Sequence, residues 1–410
     1  MPEFLQLLPP LDALGLLIEG LSAGPQGEDV GTIDALGRVT LAPVFAPLPL
    51  PSFARSTVDG YAVRAADTYG ASESLPAYLS IVGEVPMGAA PLFSLAPGRC
   101  ALIHTGGMLP EGADAVVMVE NTQGVRPEEV EILRAVAVGE NLLKKGEDVV
   151  VGQEVIPSGK RLRPAEIGGL MALGLTQLTV VRRPRVGIIS SGDEVIPPDL
   201  DLQPGQVYDI NSYSLSALVQ EAGAIPSRYG IVTDQVEALH RTAARALEEC
   251  DLLVITAGSS ASARDLTAQV INQLGQPGVL AHGVNVRPGK PTILAVCDGK
   301  AVIGLPGNPV SALVIAMLFV TPVIEKLLGL RLAKPKSVTT AQLTLNLPSQ
   351  AGREDWVAVS LSRGPEGYLA EPVFGKSNLI FTLVRADGLV RIPPAATGLS
   401  AGEKVEVSLL

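Results

Sequence analysis

The sequence predicts a multidomain protein of the α/β plus β class: a doubly wound α/β domain, preceded by a helical N-terminal domain with a β insertion and followed by a C-terminal β barrel. Three observations carry that expectation. Strand-like and helix-like runs alternate from 185 to 330, short strand-like runs broken by Gly and Pro fill 61–146 and 335–410, and apolar residues at helical spacing open the chain. A chain of 410 residues exceeds one ordinary core, so roughly two to four domains are expected.

Taken in order, Leu11, Leu14, Leu17, Ile18 and Leu21, then Ile33, Leu36 and Val39, lie at helical spacing, interrupted by Gly and Pro at 24–27. Helices are expected there. Pro43, Pro47, Pro49 and Pro51 mark an extended connector, after which AYLSIVGEV, CALIHT, DAVVMVE and EVEILRAV read as strands of a small β domain. RLRPAEIGGLMALGL reads as a helix opened by Pro164, whose missing N–H costs nothing in a first turn. The helical unit therefore resumes after a β insertion.

From 185 the runs are VGIIS, SYSLSALVQEAGA, RYGIVT, VEALHRTAARALEE, DLLVITA, DLTAQVINQL, PTILAV, AVIGL and a helix after Pro309. Such alternation predicts a parallel sheet covered on both faces. SVTTAQLTLNL, WVAVSLS, LVRIP and KVEVSLL then read as a closing barrel or sandwich with no convincing helix. The expected boundaries are 1–50 with 147–183 for the helical unit, 51–146 for the insertion, 184–332 for the α/β domain and 333–410 for the last domain.

Composition excludes several classes of function. A net charge of -11 with 4% aromatic residues argues against a nucleic-acid surface, which needs clustered cations and stacking rings. The richest apolar run, Val310 to Ile324, contains Ser311, Thr321 and Pro322 and stops at Glu325, short of the about 20 residues a membrane span needs. A buried helix is expected instead. Cys100, Cys250 and Cys297 lie far apart and, with His104, His240 and His282, form no zinc spacing. The first residues lack a basic start and a cleavage site, so a reducing, cytoplasmic location is expected.

In an open parallel sheet, ligands sit at the carboxyl ends of the strands, so the loops there are the first candidates. Ser191-Gly192-Asp193-Glu194 follows VGIIS, and its two acids can hold Mg²⁺ or a ribose or pterin, or simply cap a turn. Gly258-Ser259-Ser260 follows LLVIT and leaves N–H groups and hydroxyls open to phosphate, with Asp265 expected to start a helix. Pro306-Gly307-Asn308-Pro309 combines a sharp turn with a helix N-terminus that attracts anions. Arg287-Pro288-Gly289-Lys290-Pro291 puts two cations beside a rigid turn, which suits phosphate as well as solvent. Four such loops on one sheet point together to a phosphorylated ligand. In the N-terminal part, Ser56 to Tyr61 and Ile103 to Gly107 are polar glycine turns, and His104 alone reads as a satisfied core residue.

These motifs together resemble the molybdopterin molybdotransferase family, the bacterial MoeA proteins and the E domain of gephyrin, over essentially the whole chain. STVDGYAVRAAD at 56–67 is similar to the family's SAMDGYA signature, IHTGGMLPEGADAVVMVE at 103–120 to MTGAxxPxGADAVV, and GEDV at 146–149 to its GED turn. RPRVGIISSGDEV, DINSYSL, RPGKP and LPGNPVSA are similar to the four segments of its substrate domain. The resemblance implies a four-part homodimer with a MogA-like α/β domain, whose site lies between that domain of one subunit and the SxxDGYA-bearing domain of the other. It implies adenylated molybdopterin and molybdate as substrates, Mg²⁺ as cofactor and AMP as product. Asp59, Thr105, Glu194, Asp265, Lys290, Pro306 and Ser311 become site residues on that basis. The adenylyltransferase of the preceding step and apo-molybdoenzymes become candidate protein partners.

One departure stands out: TAGSSASARD at 256–265 replaces the family's SGGVSVGDYD, which puts Ala263 where many members carry an acid. The expected mechanism uses the loops at 257–265 and 306–309 with Lys290 to hold the phosphates, and Asp193, Glu194 and Asp265 to hold hydrated Mg²⁺. Asp59 and Thr105 of the partner subunit face molybdate, and the substrate's own thiolates take up the metal. Two alternatives remain at this level. The TGGTGxxxRD segment of the adenylyltransferase parallels Thr256 to Asp265, and a non-catalytic molybdopterin-binding scaffold would tolerate Ala263.

Overall fold

The computed structural model describes residues 7–257, 261–331 and 337–410, the stretch 261–265 by its backbone alone. Pro10 sets the first turn of α1 (Pro10–Glu19), whose Ala13 and Leu17 are fully buried. They enter the core of the α/β unit instead of meeting another N-terminal helix. The second helix expected around Ile33 and Leu36 does not form. Gly27–Gly31 is a strand, β1, antiparallel to β8 (Gln177–Val181), and Thr32–Ala35 is a single 3-10 turn. Ile33 is 74% exposed, so its apolar spacing marks no core face. Pairing with β8 satisfies the backbone groups of this stretch, whereas a helix of under ten residues is marginal by itself.

The insertion folds as β2 (Gly60–Val63), β3 (Ala77–Glu84), β4 (Arg99–Ile103), β5 (Ala115–Met118), β6 (Thr122–Arg126) and β7 (Glu129–Ile132). They form one sheet in the order β5-β2-β4-β3-β7-β6. The close β2–β5 approach needs glycine: a Cβ on Gly60 would lie 1.9 Å from the carbonyl oxygen of Val117. The chain then returns through α2 (Pro164–Ala172), opened by Pro164 as its sequence predicts.

The α/β unit contains β9 (Arg185–Ser191), α3 (Asn211–Ala222), β10 (Ile225–Val232), α4 (Val236–Glu249), β11 (Leu252–Ala257) and α5 (Ala261–Gln273). It continues through β12 (Pro277–His282), β13 (Val286–Arg287), β14 (Ile293–Cys297), β15 (Lys300–Pro306) and α6 (Pro309–Leu327). The sheet order is β10-β9-β11-β15-β14-β12. Leu215, Val219, Ile315 and Phe319 of α3 and α6 cover one face, with α1 beside them. Leu239, Ala243, Val270 and Ile271 of α4 and α5 cover the other. This is the doubly wound layering that the alternation predicts. α6 has the length and mean hydropathy, 1.9, of a membrane span, but 61% of its apolar window is buried within this fold.

Two details of the expectation change. The sheet is not wholly parallel, because β14 runs antiparallel to both β15 and β12. Asp298 and Gly299 both adopt positive φ, 50° and 82°, in the two-residue turn between β14 and β15, which forces a hairpin. Asp265 also does not start α5, which begins four residues earlier at Ala261.

Beyond 337, β16 (Val338–Leu343), β17 (Glu354–Gly364), β18 (Gly367–Pro372), β19 (Gly388–Ile392) and β20 (Lys404–Leu409) pair in the order β17-β18-β16-β20-β19. The β17–β19 ladder closes the ring, so the last unit is a five-stranded barrel. β13 lies parallel on β17, with Val286 opposite Glu354 and Arg287 opposite Asp355, and so joins the barrel to the α/β unit.

Candidate functional site

The adjacent parallel strands β9, β11 and β15 end at one edge, where Ser190 registers with Thr256 and Ala257 with Pro306. A polar network lies beneath this edge. Asp209, only 6% exposed, accepts hydrogen bonds from Ser190 Oγ at 3.0 Å and from the N–H and hydroxyl of Ser212 at 3.1 and 2.6 Å. Asn211 at the start of α3 donates its Nδ2–H to the carbonyl of Gly307 at 2.8 Å, and its Oδ1 is buried without a partner. Asp209 and Asn211 belong to the DINSYSL segment, yet they are absent from the sequence-based site set. The signal was available, since polar residues between two apolar runs at a strand edge need a reason to be buried.

Ser191 donates to Asp234 Oδ1 at 2.5 Å, and the N–H of Asp234 lies 3.3 Å from Asp193 Oδ1. Asp193 and Glu194 are exposed, and Glu194 folds back so that its Oε2 would lie 2.9 Å from a Cβ on Gly192. Gly258, Ser259 and Ser260 lie outside the described residues, as does the side chain of Asp265. Among the described residues no group of three or more His, Cys, Asp or Glu can hold a metal ion.

A cleft of about 680 Å³ lies between the α/β unit and the barrel. Lys290, Pro306, Asn308 and Ser311 all line it, as the sequence grouped them. The barrel adds Arg353, Lys376 and Ser377, and β13 adds Arg287. The acid in its wall is Asp355, 3% exposed, whose oxygens pair with Arg353 Nε at 2.7 Å and Nη2 at 3.1 Å. Four cations against one buried acid make this cleft locally basic in a chain of net charge -11. Arg353, Lys376 and Ser377 were illegible as site residues because they lie some 60 or more positions from Lys290, on strands and loops of the barrel.

The start of α6 departs from the expectation of an open anion site. The barrel fills part of it: Val310 N–H donates to the carbonyl of Ser377 at 3.1 Å, and Asn308 Nδ2 to Ser377 Oγ at 3.2 Å. Ser311, Lys290 and Arg287 are then the polar residues that the α/β wall adds beside that filled turn. Gly289 shapes that wall. Its φ is +112°, and a Cβ there would lie 2.2 Å from Ile315 Cγ1.

Asp59 and Thr105 meet in the inserted sheet, where Gly60 registers with Ile103. Thr105 donates its N–H at 2.7 Å and its hydroxyl at 3.1 Å to Asp59 Oδ1, which holds the Asp59 carboxyl below its usual range. His104 is not a core residue. It is half exposed and bridges Glu84 Oε1, 3.0 Å from Nε2, and Asp59 Oδ1, 3.7 Å from Nδ1. Neither Asp59 nor Thr105 lines the cleft, nor does the Ser191 to Glu194 turn.

Family models match three consecutive parts of the chain. One described as the MoeA N-terminal region (domain I and II) covers residues 8–174, a probable molybdopterin binding domain covers 187–326, and the MoeA C-terminal region (domain IV) covers 340–410. The molybdopterin molybdenumtransferase of Nostoc sp. is 36% identical over 95% of this chain and 90% of its own length. That of Bacillus subtilis is 32% identical over 94% of this chain and 90% of its own. A solved structure of the molybdopterin biosynthesis MoeA protein from Pyrococcus horikoshii superposes with a TM-score of 0.85 at 31% identity, covering 99% of this chain and 100% of that one.

Proposed function

The chain belongs to the MoeA family of molybdopterin molybdenumtransferases, and from that premise we propose that it inserts molybdenum from molybdate into adenylated molybdopterin and releases AMP. The observation that carries the reading is the basic cleft between the α/β unit and the barrel. Its volume of about 680 Å³ falls within the roughly 300–1,000 Å³ of small-molecule sites. Both substrates are anions, and Arg287, Lys290, Arg353 and Lys376 with the hydroxyls of Ser311 and Ser377 supply donors from both walls.

In this reading the polar edge of the sheet orients the pterin and adenylate. Gly258, Ser259 and Ser260 would meet the phosphates with backbone N–H groups and hydroxyls, beside Ser191 and Gly192 at the end of β9, and Asn211 ties the start of α3 to the Pro306-Gly307-Asn308 turn. Mg²⁺ keeps most of its water shell and takes only one or two carboxylates together with substrate phosphate, so the exposed pair Asp193 and Glu194 fits it without a larger acid cluster. Asp265 would be a third acid. Bound there, the ion would neutralise phosphate charge as the pyrophosphate linkage breaks. The protein's own groups bind and orient, and the dithiolene sulfurs of the substrate receive the metal.

Asp59 and Thr105 lie outside the cleft of their own chain, which is consistent with a homodimer in which they complete the partner's site. A cytoplasmic location and contacts with the adenylyltransferase and with apo-molybdoenzymes belong to the same proposal. Purified protein supplied with adenylated molybdopterin, molybdate and Mg²⁺ is expected to release AMP and to yield a cofactor that reactivates an apo-molybdoenzyme. No AMP with either molybdate or tungstate would discard the transfer reading. ATP-dependent adenylation of molybdopterin would replace it with the adenylyltransferase activity.

A further inference from the structure

Asp355 is a buried carboxylate in the wall of a cleft read above as an anion site. Left to itself a carboxylate there repels an anion, so its presence needs a reason. Its two oxygens take the Nε and Nη2 donors of Arg353, the side-on edge of the guanidinium. An arginine held by that edge keeps its Nη1 donors and the outer Nη2 donor in a fixed plane for a second acceptor. Asp355 Oδ2 also lies 3.8 Å from Arg287 Nη1, on the neighbouring strand of the α/β unit. The β13–β17 ladder places Arg287 and Asp355 directly opposite each other. One carboxylate thus stands between a cation of each wall.

We propose that Asp355 is a positioning residue, which aims Arg353 from the barrel and restrains Arg287 on the α/β unit so that both walls of the cleft present donors to one oxyanion. The inference rests on the cleft being the anion site and adds which residue organises it. Without Asp355 the two guanidiniums repel each other, and Arg353 recovers the rotamer freedom of a long side chain, which binding must then remove again. Glu354 next to it has a different task. It is 4% exposed and accepts from Trp356 Nε1 at 2.8 Å and from Arg391 Nη2 at 2.6 Å, within the barrel.

Charge and positioning predict opposite signs. In the full-length protein, Asp355→Asn removes a negative charge from the cleft, so electrostatics alone would tighten binding of an anion. Positioning predicts weaker binding by about tenfold, the loss of one oriented charge-assisted contact. The probe is tungstate, titrated calorimetrically against folded wild type and variant at two ionic strengths, with circular dichroism to confirm the fold. Asp355→Glu keeps the charge and displaces it by one methylene. The proposal expects it also to bind weakly and to raise KM for molybdate with kcat at saturation retained. Equal or tighter tungstate binding by Asp355→Asn, or wild-type affinity in Asp355→Glu, overturns the positioning role while leaving the cleft as anion site. No tungstate binding by wild type, or none lost in Arg353→Ala, overturns the cleft reading itself and the proposal with it. If Asp355→Asn fails to fold, the Asp355→Glu arm decides.

Discussion

Asn211 Nδ2 reaches across 96 positions of sequence to the carbonyl of Gly307, and so ties the start of α3 to the turn that opens α6. Asn211 is buried and Gly307 half-buried, so Asn211→Ala leaves a partly buried carbonyl without its donor. The expected cost is about 1–3 kcal/mol of stability, measured by urea unfolding, with weaker binding of adenylated molybdopterin. Unchanged stability and binding would show that the turn holds its shape without this tie.

Thr105 directs two donors at Asp59, its backbone N–H contributing most, and depresses the Asp59 pKa below the usual 3.8. The sign follows directly. A carboxyl with a lowered folded pKa stays ionised throughout neutral and mildly acidic pH, so Asp59 contributes no acid limb to the transfer rate above about pH 4. Asp59→Asn is expected to lose transfer with its circular dichroism spectrum unchanged. Thr105→Val removes the hydroxyl donor, and carboxyl carbon shifts followed by NMR should then place the Asp59 titration at higher pH than in wild type.

Gly289 cannot carry a side chain without strain, since its φ is +112° and Ile315 occupies the space a Cβ would need. Gly289→Ala is expected to destabilise the fold by roughly 1–3 kcal/mol. It should also move Lys290 relative to Ser311 and weaken tungstate binding. The double variant with Ile315→Ala relieves the clash but not the backbone strain, so thermal unfolding should show partial recovery.

Glu166 is bound by the guanidinium of Arg163 and by two backbone N–H groups, and these lower its pKa to about 2 against burial that opposes them. Its contribution to stability is complete above its unfolded value, 4.5, and is lost as pH falls from there towards 2. Glu166→Gln should therefore flatten the acid dependence of unfolding between those two values, and leave the dependence above pH 5 as in wild type.

Much of the fold was legible along the chain because its signals are local. Pro164 opens a helix, the buried strands of the α/β unit are continuous apolar runs, and Asp298-Gly299 is a hairpin signal whose consequence, an antiparallel β14, the alternation alone concealed. Where the expectation failed, burial did not follow spacing: Ile33 and Leu36 repeat like a helix, but both are exposed at a single 3-10 turn, and the chain before them, β1, pairs with β8 some 150 positions later.

The sequence by itself determined the family, the doubly wound layering and the loops at the strand ends, since each depends on residues that are neighbours in the chain. Only the tertiary structure decided that α1 packs into the α/β core, that Ser377 fills part of the α6 terminus, and that Lys290 and Arg353 face one cleft. The physical reason is that charge and hydrogen bonding act over a few ångströms of space. A barrel closed on itself brings its cations to the sheet from more than 60 residues away, and no local pattern records that arrival.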